Sequence, residues 1–288
     1  MSWAYYNEID PFAAQWLRNL IKAGHIANGI VDERSIEDVY PEELREFTQC
    51  HFFAGVGVWS LALRQAGWED KRPVWTGSCP CQPFSAAGKS AGFADERHLW
   101  PAWFHLIQQC QPRTVFGEQV ASKDGLAWLD LVQSDLEAEN YTNAAFDLCA
   151  AGVGAPHIRQ RLWFVAEKEL ANPFGIGRQR QRWAREKRVT QHCQANVLAD
   201  SESERWKWLE GSPKQTGRDS SENSSSTNGF WKGVRWLDCQ DGKRRPIEPS
   251  IEPLVNGATA RVGRLRAYGN AINAEVAKVF ISSYMDTI

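Results

Sequence analysis

No stretch of the 288-residue chain stays apolar for the roughly 18 residues that a membrane-spanning helix needs. A leader-like start is missing too, because Met1-Ser2-Trp3-Ala4-Tyr5-Tyr6-Asn7-Glu8 shows no basic and then apolar pattern. Both absences predict a cytoplasmic protein with no membrane partner. Cysteines are few, seven in all, odd in number and without CxxC spacing. That argues against a disulfide framework and against a structural zinc site, so no metal is expected. Internal repeats are absent as well. Net charge is almost absent, −2 overall, yet it is unevenly divided. Residues 1–150 carry 11 Lys and Arg against 20 Asp and Glu, whereas residues 151–288 carry 22 against 15. The second half is therefore the expected face for a polyanion.

What is present is an alternation of strand-like and helix-like segments. Asp10-Pro11 reads as an N-cap with proline in the first helical turn, and Phe12, Ala13, Trp16, Leu17, Leu20 and Ile21 recur at helical spacing up to Gly24. This predicts a helix over about 11–23, after a short strand near 3–7. A turn-rich segment then runs to Asp32. Cys50-His51-Phe52-Phe53 reads as a buried strand, Ala54-Gly55-Val56-Gly57 as a tight turn, and Trp59 to Ala66 as a helix stopped by Gly67. Strands follow near 73–77, 114–117, 143–149 and 161–166, with helices over about 99–110, 123–139 and 271–284. The expected fold class is α/β, a doubly wound, mainly parallel sheet. Between 171 and 254 the periodicity weakens and Arg, Trp and Gln accumulate. Within that segment, Asp219-Ser220-Ser221-Glu222-Asn223-Ser224-Ser225-Ser226-Thr227-Asn228-Gly229 has the composition of a flexible loop or linker. Residues 1–170 plus 255–288 are thus expected to form one domain and 171–254 a smaller second one.

Several residues carry candidate chemistry. Cys81 lies in Gly77-Ser78-Cys79-Pro80-Cys81-Gln82-Pro83-Phe84-Ser85, just after the strand-like Val74-Trp75-Thr76. Most isolated cysteines are small core hydrophobes, but a thiol between two prolines where a strand opens into a loop is placed to attack. Gly55 and Gly57 let the backbone turn tightly and approach a ligand. Glu8, near the end of another strand, can accept both hydroxyls of a ribose, and Asp32, also after a strand-like segment, can accept from an adenine amino group; alone, either is more often a cap or a surface charge. Glu118, in Phe116-Gly117-Glu118-Gln119-Val120 after a strand, suits proton donation if burial raises its pKa. Arg159 and Arg161 alternate in Ala155-Pro156-His157-Ile158-Arg159-Gln160-Arg161-Leu162, so they share one face at strand spacing. They can fix a carboxylate, a carbonyl and a phosphate, or serve as structural ion pairs. The densest basic patch, Arg178-Gln179-Arg180-Gln181-Arg182-Trp183, is either a solvated surface or a base-reading one.

Together these segments resemble the DNA cytosine-5 methyltransferase family. Phe53-Ala54-Gly55-Val56-Gly57 is similar to its first motif, Pro80-Cys81-Gln82-Pro83-Phe84-Ser85 to its fourth, and Glu118-Gln119-Val120 to its sixth. His157-Ile158-Arg159-Gln160-Arg161 is similar to its eighth, and Tyr268-Gly269-Asn270-Ala271-Ile272 to its tenth. The resemblance implies a Rossmann-like methyltransferase fold with S-adenosylmethionine as methyl source. Cofactor contacts would come from Phe53, Ala54, Gly55, Gly57, Glu8, Asp32, Pro80 and Asn270. Cys81 would be the nucleophile that adds to cytosine carbon 6, Glu118 the donor to ring nitrogen 3, and Arg159 and Arg161 base-pocket groups. Gln82, Ser85, Arg178, Arg180 and Arg182 would contact double-stranded DNA, with 171–254 as the target recognition domain of a monomer. Rival readings are a cytosine-5 RNA methyltransferase and a catalytically idle DNA-binding protein.

Departures from the family pattern are specific. Gln119 stands for the usual Asn, His157 for the usual Gln, and Val58 where a further glycine is common. Segments resembling the second and third motifs, Tyr6-Asn7-Glu8-Ile9-Asp10-Pro11 and the region of Asp32, precede the first, an order that resembles phage-type enzymes. If the sheet keeps its usual neighbours, the crossover through helix 59–66 becomes left-handed, against a rule obeyed in roughly 98% of cases. That exception is the expectation here.

Overall fold

The structure, a computed structural model, describes residues 3–80, 99–168, 231, 234, 236–238, 244–246, 249 and 271–288. The chain divides into two compact units. The first takes in Met1–Glu169 and Ser225–Ile288; the second, Leu170–Ser224, lies outside the described residues.

In the first unit the order is β1 (Ala4–Asn7), α1 (Pro11–Lys22), β2 (Gly29–Asp32), α2 (Pro41–Leu44), β3 (Gln49–Phe52), α3 (Val58–Gln65), β4 (Val74–Gly77) and α4 (Trp100–Cys110). Then come β5 (Thr114–Val120), α5 (Lys123–Ala138), β6 (Tyr141–Cys149), β7 (Gln160–Lys168), β8 (Trp236–Asp238), β9 (Arg244–Pro246) and α6 (Ala274–Met285). Local chemistry sets the helix starts. The Asp10 carboxylate accepts from the N–H groups of Phe12 and Ala13 at 2.8 and 3.1 Å, Ser122 Oγ accepts from Gly125, and Asn273 Oδ1 accepts from Val276.

Seven strands form one mixed sheet in the order β2-β1-β3-β4-β5-β7-β6. The first five are mutually parallel, and β7 runs antiparallel to both β5 and β6. Strands β1, β3 and β4 are buried on both faces, as parallel strands covered by helices must be. Their polar side chains pair internally. Tyr6 donates to the Ala27 carbonyl at 2.8 Å and His51 Nδ1 meets Thr76 Oγ1 at 2.8 Å, while burial pushes the His51 pKa down to about 3.

Two layers cover the sheet. One face packs Leu17 and Leu20 of α1, Trp59 and Leu63 of α3 and Phe280 of α6 against Tyr6, Phe116 and Trp163. The other packs Leu44 of α2, Trp103 of α4 and Trp128 of α5 against Tyr5, Phe52 and Phe164. These faces fix the handedness. From β1 to β2 the chain steps toward one edge through α1; from β2 to β3 and β4 to β5 it steps the other way through helices on the opposite face. Reversing both direction and face preserves the hand, so these three crossovers agree. The β3–α3–β4 crossover reverses direction but keeps the face of α1. Its hand is therefore opposite, and with the common hand right-handed it is left-handed.

The strand expected before Asp32 is β2, whose Gly29 sits so close to β1 that a Cβ would lie 2.0 Å from the Ala4 carbonyl oxygen. Two differences from the sequence reading have physical causes. Strand β5 runs on through Val120, because β7 pairs with it over its whole length, so Glu118 is inside a strand rather than after one. Trp231, within the segment set apart from the first domain, is fully buried in the core of the α3 face.

Candidate active site

The carboxyl ends of β1, β2, β3, β4 and β5 lie along one edge of the sheet, and the antiparallel β7 begins there, with Arg161 opposite Val120. This edge is where ligands bind in open α/β sheets. Glu8, Asp32, the glycine turn, Ser78, Glu118, Arg159 and Arg161 all sit along it.

The turn between β3 and α3 is left-handed at three positions, Phe53 (φ 52), Gly55 (φ 54) and Gly57 (φ 77). For glycine this conformation is free, but for a bulky aromatic residue it is a genuine outlier, held here by the Ala54 N–H bond to the Asn7 carbonyl at 3.0 Å. Glu8 is tied to the same turn. Its Oε2 accepts from the Gly55 N–H at 2.7 Å and its Oε1 from the Asp10 N–H at 2.9 Å. Burial raises its pKa against those two bonds. A carboxylate offers about four acceptor sites. Two remain, enough for a pair of ribose hydroxyls.

Asp32 is in a different position. Its Oδ1 accepts from the backbone N–H and Nε of Arg34 at 2.9 and 3.1 Å, and its Oδ2 from Tyr5 Oη at 2.7 Å and Arg34 Nη2 at 2.6 Å. Burial acts to raise this carboxyl, but the Arg34 and Tyr5 bonds win and hold it below its usual range. In this structure its oxygens are thus taken up by Arg34 and Tyr5, and Arg34 reaches on to Glu43 at 2.8 Å.

Glu118 is 7% exposed and bonded to Arg161, Nε to Oε1 at 2.8 Å. Because Glu118 faces Trp163 and Arg161 is two residues earlier on β7, this is a diagonal cross-strand pair. Burial raises the Glu118 pKa; Arg161, then Arg159, then the Ser78 hydroxyl oppose the rise without cancelling it. Arg159 lies just before β7 and donates through Nη2 to the Ala271 carbonyl at 2.6 Å, so it links this cluster to the residues before α6. His157 packs edge-on against Trp231 with ring centroids 5.6 Å apart, and burial followed by the Arg159 charge lowers its pKa. Gln119 points to the opposite face, where its Oε1 accepts from the Val120 N–H at 2.9 Å and its buried Nε2 has no partner.

Sequence reasoning missed Trp59 and Ser78. The Trp59 indole donates to Ser78 Oγ at 3.0 Å, and no linear motif signals a bond between a helix and the next strand's end. Along the segment after β4, Cys79 is buried and Pro80 exposed, so the chain leaves the core just before Cys81. Cys81, Gln82, Ser85, Arg178, Arg180, Arg182 and Asn270 lie outside the described residues. Among the described residues, no cluster of His, Cys, Asp and Glu could hold a metal ion, and no helix is long and apolar enough to cross a membrane.

A buried glutamate, two arginines and a glycine turn thus share one edge with the strand leading to Pro80-Cys81, and residues 70–243 match the family described as C-5 cytosine-specific DNA methylase. The chain belongs to that family. Among curated proteins it is similar to the Type II methyltransferase M.NgoMIV of Neisseria gonorrhoeae, 28% identical over 180 residues that cover 45% of this chain and 54% of that protein. It is also similar to M.HhaI of Haemophilus parahaemolyticus, 33% identical over 97 residues covering 32% and 30%. The chain thus spans about half or less of the length of these relatives. Among solved structures, the S. pombe Dnmt2 methyltransferase aligns over 99% of both chains at 11% identity and a TM-score of 0.48. S-adenosylmethionine is the cofactor of this C-5 cytosine methylase family. The residues fit it: the turn is open at Gly55, where an added Cβ would meet nothing within 4 Å, and Glu8 keeps two acceptor sites beside it.

Proposed function

We propose that the protein methylates carbon 5 of cytosine within a specific sequence of double-stranded DNA, as a monomer. The observation that carries this reading is the buried Glu118–Arg161 pair beside Ser78, three residues before Cys81. Cytosine carbon 5 is a weak nucleophile, and flipping the base from the duplex costs a few kcal/mol. The Cys81 thiolate adds to carbon 6 while Glu118, protonated because burial favours its neutral form, gives its proton to ring nitrogen 3. Carbon 5 thereby gains enamine character. Arg161 orients Glu118, and Arg159 and Arg161 hold the base carbonyl and a backbone phosphate. Glu8 and the backbone of residues 53–57 would hold S-adenosylmethionine, which would supply the methyl group. Loss of the carbon 5 proton to water then restores the double bond and expels Cys81 as thiolate, while the nitrogen 3 proton returns to Glu118.

Residues 171–254 supply target recognition, with Arg178, Arg180 and Arg182 on the DNA and with Trp231 anchoring the return into the core. Gln82 and Ser85 flank the nucleophile and contact the DNA, and Pro80 and Asn270 border the cofactor. The relatives' names, Type II methyltransferases, support a restriction–modification role. Competition between duplex DNA and tRNA for labelled methyl groups tests the substrate. Incorporation into duplex DNA is expected; preferential labelling of tRNA would replace the DNA reading with an RNA one.

A further inference from the structure

The Trp59–Ser78–Glu118 row joins two halves of the edge that the mechanism treats separately. Trp59 belongs to the first turn of α3, directly after the glycine turn. Ser78 follows β4, and because Gly77 pairs with Gly117 in parallel register, Ser78 lies beside Glu118 on the same face. An indole N–H can only donate, so Trp59 takes a lone pair of Ser78 Oγ at 3.0 Å and leaves the hydroxyl hydrogen to face the other way. Across the β4–β5 register on that other side lies Glu118, close enough for the hydroxyl to act on its carboxyl. A hydroxyl so oriented favours the ionised carboxylate and works against burial.

We propose that Ser78 is a positioning residue: held by the Trp59 indole, it aims its hydroxyl at Glu118 and ties the proton donor to the helix beneath the glycine turn. The proposal rests on the reading of Glu118 as the donor. Among the described residues, the charged groups that face Glu118 are Arg161 and Arg159, from β7 and the segment before it; Ser78 comes from the end of β4 and Trp59, which does not titrate, from α3. Among the described residues, Ser78 is the neutral hydroxyl that acts on Glu118 beside the two guanidinium groups. Without it, burial would be opposed by the arginines alone.

The test uses the full chain and two readouts, the pH profile of kcat on duplex DNA and the titration of the Glu118 carboxyl by isotope-edited infrared spectroscopy, with Glu118→Gln to assign the band. In Ser78→Ala, both the Glu118 titration and the alkaline limb of kcat should move up by about 0.5–1 pH unit, the size of one lost hydrogen bond, with KM for DNA within roughly twofold. Ser78→Thr, which keeps the hydroxyl, should bring both back. Trp59→Phe should shift them the same way by less, since it frees the hydroxyl without removing it, and it serves as the test should Ser78→Ala fail to fold. An infrared titration unmoved in these variants overturns the proposal. A moved titration with an unmoved kcat limb supports the positioning role and instead overturns Glu118 as donor.

Discussion

Arg161→Met removes the charge opposite Glu118 while keeping most of the apolar stem, and its consequence can be worked from the geometry. The Glu118 side chain is 8% exposed and that of Arg161 22%, with the charges 2.8 Å apart. Breaking a fully buried pair by deleting one partner costs about 3–5 kcal/mol. Here the loss is smaller, because Arg159 still faces Glu118 and because Glu118 can take up a proton. We expect about 2 kcal/mol at pH 8. The pH dependence follows from the direction of the shift. Burial already raises the Glu118 pKa in the folded protein, and the variant raises it further. A raised carboxyl contributes stability that is present below its unfolded pKa and is lost as pH rises through the folded value. The destabilisation should therefore stay under about 0.5 kcal/mol below the raised folded value of the wild type and grow by no more than about 1.4 kcal/mol per unit from there to the higher folded value of the variant. Urea unfolding followed by tryptophan fluorescence, on wild type and variant across this range, measures it. An equal loss at low and high pH, or a gain at pH 8, would refute the reasoning.

Gly117→Ala should lose about 1–3 kcal/mol in thermal unfolding, because the new Cβ would lie 2.1 Å from the Phe164 ring, which is itself buried against Trp103 and Trp128; a neutral result would mean that this core yields more easily than its packing indicates. Glu8→Gln should weaken S-adenosylmethionine binding about tenfold by calorimetry, since the charged acceptor for the ribose is lost, and unchanged affinity would remove Glu8 from the site. Asp32→Asn should lower stability by about 1 kcal/mol through Arg34 and Tyr5 yet leave cofactor affinity within about twofold. A tenfold loss of affinity in that variant would favour the adenine contact.

The features legible in the sequence were those written over short spans. Asp10-Pro11 marks the start of α1, the Phe53–Gly57 turn separates β3 from α3, and the alternation of Arg159 and Arg161 places both on the face of Glu118. Even the opposite hand of the β3–α3–β4 crossover follows from the order of segments once neighbouring strands are assumed. What escaped depends on partners distant in the chain. The start of β2 at Gly29, though not the strand itself, is explained only by its approach to Ala4. The carboxylates of Glu8 and Asp32 look equivalent as acidic residues at strand ends, but one meets two backbone N–H groups and the other a guanidinium and a phenol. Trp59 and Ser78 meet only because β4 lies beside β3 and α3 folds back over both. The partners that act on Glu118 come from β7, the segment before it and the end of β4, not from its neighbours in sequence.

The central claim is a transient bond between the Cys81 sulfur and carbon 6 of a flipped cytosine. Incubating the protein and S-adenosylmethionine with duplex DNA that carries 5-fluorocytosine at the target blocks the final loss from carbon 5 and should trap that bond, giving a protein–DNA adduct that survives denaturing electrophoresis and maps by mass spectrometry to Cys81. Cys81→Ser should give none. Tight DNA binding by the wild-type protein without any adduct, or an adduct at another residue, would contradict the account.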